Sequence, residues 1–575
     1  MDSRLRGNDG GANGNDGGDS GFDVILGNPP YVRQELFTNL KPYLQQHYST
    51  YHGVADLYVY FYELGLNKLL RTGGRLGYIS SSSFFKTSSG EPLRRLLRQQ
   101  GQIETLVDFG DWQVFEGVTT YPAIVVLQKY ASNDALPANF LQLTGAVPDL
   151  AATFETSKQT LNLAQLSGGE GTEAGNAAEW QLEGNEASAL RDKLMGGKEK
   201  GHPSLKQAVG SPLYGIKTGL NEAFVIDRAT RDKLVFADPA SETLFKPFLE
   251  GKDIKRWQVE SEDRWLILMP KGWTKQQIPL SVETTNPVRV EPVETLRQAQ
   301  GERSKNDVVQ ISEDKAFGWL QVRHPHLVAY LAPFAEAAQK RTDKGDYWWE
   351  LRACAYYGKF DDAKILYPDI SQGSKFCFDK EGQFFGNTAY FVQTEQAWLA
   401  ALLNSRAMWF YLSGVCEALR GGEWRLRMFT QQIETLPIPA ATEQQQTELT
   451  HLATACAQAA KERLAAQKGF GRRILDLLPT PAPKGAQLSL GDKLSSWWLL
   501  DDFKAFQFEV QKRFKTEIPL RERNDWESLF AGEKSRIQQL SHNIAATERS
   551  IDAIVYTLFG LNAAEVALVE RAVQR

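Results

Sequence analysis

The sequence predicts an α/β sheet domain near its N-terminus, then an α+β domain, then a helical C-terminal region. Three observations carry this expectation. Between Phe22 and Gln128 short apolar runs alternate with helical segments, the pattern of a doubly wound sheet. Between Lys364 and Val392 strand-like runs follow one another across turn residues alone. From Ile537 to Leu558 apolar residues recur at three- to four-residue spacing, one face of an amphipathic helix.

At 575 residues the chain has room for three or four domains, and 42% apolar with 23% charged residues is ordinary globular composition. The most apolar long stretch, Trp398 to Val415, is interrupted by Asn404, Ser405 and Arg406 and suits a buried helix better than a membrane span. The N-terminus lacks the apolar core of a signal peptide. Cys354, Cys377, Cys416 and Cys456 are too scattered for a disulfide framework or a zinc site. A cytoplasmic protein without membrane partners or a metal is expected. A formal charge of -5 argues against a chain that coats nucleic acid everywhere, but leaves room for a local basic cleft.

Residues 1–20 are mostly Gly, Asn and Asp, which cannot build a core, so a disordered leader is expected; its SRLRGNDG string resembles translated bacterial DNA repeats. Phe22-Asp23-Val24-Ile25-Leu26 follows as a buried strand, and Gly27-Asn28-Pro29-Pro30-Tyr31 ends it. Each proline fixes its own φ and pushes its predecessor out of helix, so the corner is stiff. Open α/β sheets place ligands at the carboxyl ends of their strands, and a stiff corner there holds polar groups at fixed positions. The Asn28 side-chain oxygen and the Pro29 carbonyl can accept both hydrogens of an exocyclic amine while the Tyr31 ring stacks on the base that carries it. The same corner can also serve only to end a strand, with the tyrosine packed upon it.

Here the chain resembles the amino-methylating DNA methyltransferases, whose catalytic motif is (Asp/Asn/Ser)-Pro-Pro-aromatic and whose Asn-Pro-Pro-Tyr form is typical of adenine methylation. The resemblance makes Asn28, Pro29, Pro30 and Tyr31 the catalytic set. DLYVYFYELGLNKLLRTGGRLGYI matches the helix and strand that follow the corner in that family, with Gly73-Gly74 as a helix stop. A helix over Pro92–Gln100 and strands over Ile103–Asp108 and Ala123–Gln128 complete the expected sheet. VFEGVTTYPAIVVLQK matches the strand whose preceding loop supplies a second aromatic to the target base, here Phe115. The fold implied is a partial class I methyltransferase sheet over residues 21–130. In that class S-adenosylmethionine is held by a glycine-rich turn after the first strand and by an acidic residue. Those elements would precede Asn28, where only the leader stands, so the cofactor-binding motif is expected to be missing. That leaves Val24-Ile25-Leu26 at a sheet edge, and a truncated gene product or half of a split enzyme is expected.

Residues 131–205 form an expected linker, with the flexible string SGGEGTEAGN and a helix within Trp180–Leu194. Residues 206–440 then resemble the target-recognition domain of Taq-like gamma-class adenine methyltransferases and of Type IIG restriction-modification enzymes. The strings LYGIKTGLNEAFVID, LFKPFLEGKDIKRW and TQQIETLPIP carry the likeness, the last as a closing strand. Glu250-Gly251-Lys252 has nuclease-like spacing but no Pro-Asp partner, so no nuclease is assigned. Residues 287–307 are a charge-dense insertion that resembles a second translated repeat. Strands over Lys364–Tyr367, Lys375–Asp379 and Thr388–Val392, a hairpin turn at Lys380-Glu381-Gly382 and a helix over Ala397–Leu412 follow. The DNA contacts expected are Lys217, Arg420, Trp424, Arg425 and Arg427: arginines neutralise phosphates or read guanine edges, and Trp424 offers a stacking face. A solvated basic turn is the alternative. Residues 441–575 are expected to be helical, with Asn562 and Glu565 capping a last helix.

The function implied is adenine-specific DNA methylation in a restriction-modification system. It would use S-adenosylmethionine as donor, double-stranded DNA as partner, and a base extruded between Tyr31 and Phe115. Two other readings stand beside it: a DNA-binding fragment without transfer activity, and the modification and specificity part of a Type IIG enzyme. A separate polypeptide would supply the missing half or a nuclease.

Overall fold

The computed structural model describes residues 21–573, apart from 86, 111, 113, 116–120, 131–136, 144, 162–179, 181–184, 198–200, 279–310 and 420–424. The leader, the SGGEGTEAGN string, the 287–307 insertion, Arg420 and Trp424 therefore lie outside the described residues. The chain divides into two compact units, residues 1–198 with 417–424 and 574–575, and residues 199–416 with 425–573.

The first unit is built on six strands: β1 (Phe22–Gly27), β2 (Leu70–Ser81), β3 (Gly101–Asp108), β4 (Pro122–Lys129), β5 (Ala138–Gln142) and β6 (Gln159–Leu161). Their order is β1-β2-β4-β3-β5-β6. The pairs β1/β2 and β3/β5 are parallel, and the other neighbours antiparallel. The sheet is thus mixed rather than fully doubly wound, because β4 returns between β2 and β3. Helices α1 (Lys41–His47), α2 (Tyr58–Leu64) and α3 (Glu91–Gln100) join these strands. One face of the sheet carries the main core, which includes Tyr62, Leu76, Leu97, Ile103 and Leu127. The opposite face carries a smaller cluster of Val107, Phe109, Leu141 and Leu143.

Three expectations change here. The strand before the corner is not buried: β1 is the outermost strand, and Phe22, Val24 and Leu26 are 58%, 57% and 78% exposed, with only Ile25 packed on the main core. Gly73-Gly74 does not stop a helix. α2 runs on as a π-helical turn over Gly65–Leu69, and β2 already begins at Leu70. Between Phe22 opposite Leu70 and Val24 opposite Arg75 the register jumps, and Gly73, at φ +78°, supplies the left-handed residue this bulge requires. Finally, the span expected to be a linker contributes β5 and β6 to the sheet, with a helix Leu150–Ser157 between them.

The second unit contains two four-stranded sheets. In one, Phe384–Phe385 (β14), Phe245–Leu249 (β9), Arg264–Ile267 (β10) and Val225–Asp227 (β8) lie side by side. In the other, the order is Cys377–Asp379 (β13), Lys364–Pro368 (β11), Ala389–Gln393 (β15) and Leu213–Tyr214 (β7). Ile370–Ser371 (β12) pairs separately with the strand Arg425–Arg427. The turn at Lys380–Gly382 is not a hairpin, since it carries the chain from β13 in one sheet to β14 in the other; Gly382 takes φ +71° and the Asp379 carboxylate accepts the Glu381 and Gln383 N–H groups. The helix expected over 397–412 is two helices, Trp398–Asn404 and Arg406–Val415, because Ser405 leaves helical geometry and caps the second by accepting from Met408 N–H. The expected closing strand begins instead with a short helix, Thr430–Ile433.

The helices Glu443–Leu475 and Arg523–Leu558 pack antiparallel, with Arg463 bonded to Ser541 and Phe470 against Phe530. Ile537, Ile544, Ile551 and Val555 are buried along the second. The Asn562 N–H donates to the Glu565 carboxylate at 2.7 Å and the Glu565 N–H to the Asn562 side-chain oxygen at 3.0 Å, the reciprocal cap of the last helix, Ala563–Val573. Among the described residues no helix is long and apolar enough to cross a membrane.

Candidate active site and DNA-contact residues

The corner stands at the carboxyl end of β1, and its side chains divide between water and core. Asn28 and Pro30 are exposed, Pro29 is buried, and Tyr31 is half-buried. The Asn28 amide takes part in no hydrogen bond with a described residue, so its oxygen is free to accept from a ligand. Gly27, which sequence reasoning passed over, allows the corner to lie close to the core: a Cβ there would stand 3.0 Å from Cε1 of Tyr78. A glycine directly before the asparagine was the available signal. Beneath the corner the tyrosines are fixed by hydroxyl pairs, Tyr62 with Ser80 at 2.9 Å and Tyr58 with Ser83 at 3.1 Å.

Tyr31 and Phe115 lie against each other. Their ring centroids are 5.9 Å apart and the planes meet at 60°, an edge contact. The Tyr31 hydroxyl is buried with no hydrogen-bond partner among the described residues, and burial pushes its pKa up to about 12. It is therefore neutral at all ordinary pH values and contributes a ring, not a charge. The exposed Asn28 amide thus stands at the same strand end as the Tyr31 ring.

Among the described residues β1 is the outermost strand of its sheet, and at Gly90, directly before α3, a Cβ would meet the Phe84 backbone at 2.3 Å.

Of the expected DNA contacts, Lys217 is exposed but ion-paired with Asp343 at 3.0 Å. Arg425 and Arg427 lie two residues apart on one strand, so both side chains share a face. Each is half-buried, with a buried Nε that has no hydrogen-bond partner among the described residues. Arg427 also lies over the Phe429 ring at 5.1 Å.

The Eco57I restriction-modification methylase family matches residues 7–115, a span that includes the corner and Phe115. The TaqI-like C-terminal specificity domain matches residues 246–438. Two separate stretches of the chain thus resemble parts of restriction-modification methyltransferases. Residues 442–555 match a domain of unknown function. The chain is 24% identical to Type II methyltransferase M.XhoI of Xanthomonas vasicola over 73% of this chain and 68% of the relative. It is 30% identical to Type II methyltransferase M.PaeR7I of Pseudomonas aeruginosa over 43% of this chain and 41% of that protein. The chain thus spans between about two fifths and two thirds of these two relatives. A solved structure of the Type IIL restriction-modification enzyme MmeI with DNA is similar over 90% of this chain and 57% of that one, at 13% identity and a TM-score of 0.41.

Proposed function

We propose that this chain bears the base-binding corner and the specificity domain of an adenine-specific DNA methyltransferase in a cytoplasmic restriction-modification system. One observation carries the reading: an exposed, unengaged Asn28 stands at the same strand end as the Tyr31 and Phe115 rings. Duplex adenine hides its amine in a base pair, so the base has to leave the stack before its ring can lie beside Tyr31. Asn28 and the Pro29 carbonyl then accept the two amine hydrogens and orient the nitrogen, while the rigid corner keeps that geometry without reorganisation. Arg425 and Arg427 suit duplex phosphates or guanine edges on the specificity domain.

The donor is S-adenosylmethionine. The exposed edge of β1 supports its holding residues coming from a further polypeptide segment that adds to this sheet. The same edge favours a second reading, a chain that binds DNA and does not transfer methyl groups unless that segment is present. Incubation with labelled methyl donor and mixed duplex DNA, with and without the neighbouring gene product, separates the two. Where transfer occurs, Asn28→Ala abolishes it and leaves duplex affinity within a few-fold. Equal losses of transfer and affinity would assign Asn28 to folding and sink the proposal.

A further inference from the structure

The Tyr31 ring has no hydrogen-bond anchor among the described residues: its hydroxyl is buried and unpartnered, and it meets Phe115 edge-on. Beyond that packing, its placement comes from the backbone on either side. Before Tyr31, two prolines supply it. After Tyr31, the chain is held from a distant segment.

That hold has two parts. The Val32 carbonyl accepts the Leu57 N–H at 3.0 Å, and the Gln34 N–H donates to Oδ1 of Asp56 at 3.1 Å. Lys41 ties the same knot from outside, donating from Nζ to the Gly53 carbonyl at 2.8 Å and to the Gln34 side-chain oxygen. Asp56 itself is seated firmly, since α2 begins two residues later and its Tyr58 and Tyr62 are buried and bonded to Ser83 and Ser80. Burial raises the Asp56 carboxyl above the ordinary range, with Glu35 adding to the rise, while the Gln34 N–H and then Arg33 pull it down. A half-buried carboxylate at that position is costly unless it is bonded, and the bond it makes is to the backbone three residues past Tyr31.

We propose that Asp56 is a positioning residue for Tyr31: by accepting the Gln34 N–H it fixes the exit from the corner and with it the plane that Tyr31 offers beside Phe115. The proposal rests on the reading of Tyr31 as the ring that meets an extruded base, but its test needs neither DNA nor methyl donor.

The full chain is labelled with 3-fluorotyrosine, and the Tyr31 fluorine line is assigned as the one lost in Tyr31→Phe. Asp56→Ala moves that line and lowers amide exchange protection at Gln34 and Leu57 about ten-fold. Asp56→Asn keeps an oxygen at the same place and retains both. Gln34→Pro removes the donor instead. Residue 34 is the first of a short helix and Arg33 is already extended at φ -70° and ψ 148°, so the ring of proline fits there. Its Tyr31 line moves as in Asp56→Ala. An unmoved line in Gln34→Pro, or an Asp56→Asn line displaced as far as that of Asp56→Ala, overturns the proposal. So does an Asp56→Ala chain that melts lower with its Tyr31 line in place. Because these readouts use the free protein, they stand apart from any failure to methylate DNA.

Discussion

Glu63 shows how one side chain shapes the approach to the corner. It is buried, and its two oxygens accept from Ser49 and Thr50 through both backbone N–H groups and both hydroxyls, at 2.7 to 3.0 Å. Removing it strands four donors, two of them backbone. Glu63→Ala therefore costs about 3 kcal/mol or more, and Glu63→Gln less, read as shifts in the urea unfolding midpoint. At this scale the legible residues were those whose chemistry is local to the chain. Asn28 through Tyr31 announce themselves as four neighbours, and Phe115 through its own string. Gly27 and Glu63 did not, because the atoms that require them, the Tyr78 ring and the Ser49–Thr50 turn, lie on other elements.

Among the elements, β1 carried two expectations: its apolar run signals burial, while the want of a preceding strand puts it at a sheet edge, and the edge is where it lies. Leu26 leans over Gly77, which offers no side chain to shield it. Leu26→Lys should accordingly leave the unfolding midpoint of the purified chain nearly unchanged and raise its solubility, whereas Leu76→Ala, at a fully buried position, costs about 2–5 kcal/mol. Both are measured by chemical unfolding and by the concentration at which the chain precipitates. Strands β3 and β4 were legible from β-branched residues between turns, but β5 and β6 were not, being short and set among polar residues. The break at Ser405 was hidden because the apolar spacing continues through it. The last helix docks through charge: Arg406 pairs with Glu570, Tyr556 donates to Glu570 at 2.8 Å, and the Asp552 carboxylate accepts the Arg406 N–H at 2.8 Å. Burial lifts the Asp552 carboxyl to about 6, outweighing the lowering by the Arg406 N–H and the Arg406 and Arg256 guanidiniums, with Glu570 adding to the rise. A raised carboxyl favours the protonated form in the folded state. Its contribution is complete below the ordinary carboxyl range and is lost as pH rises through about 6. Asp552→Asn removes this dependence, so unfolding free energies measured from pH 4 to pH 7 fall less in the variant, by on the order of 2 kcal/mol.

Over the whole molecule, a formal charge of -5 repels DNA at long range, so attraction has to be local. Arg427→Ala should weaken duplex binding and reduce the slope of log affinity against log salt by about one, while Asn28→Ala leaves that slope unchanged. Filter binding over a salt series measures both. The change along the chain from a mixed sheet to short strands and then long helices was legible because each has its own hydrophobic period, although the strand-rich and helical stretches belong to one compact unit. The boundary between the first two was not, since the chain continues into β5 and β6 past the last of the strongly patterned strands. The bare margin of the first sheet has one more consequence. Asn28 is the residue directly after β1, so anything that zips onto that strand arrives next to the amide that would grip the base. At high concentration that exposed margin should make itself felt first as self-association of the purified chain.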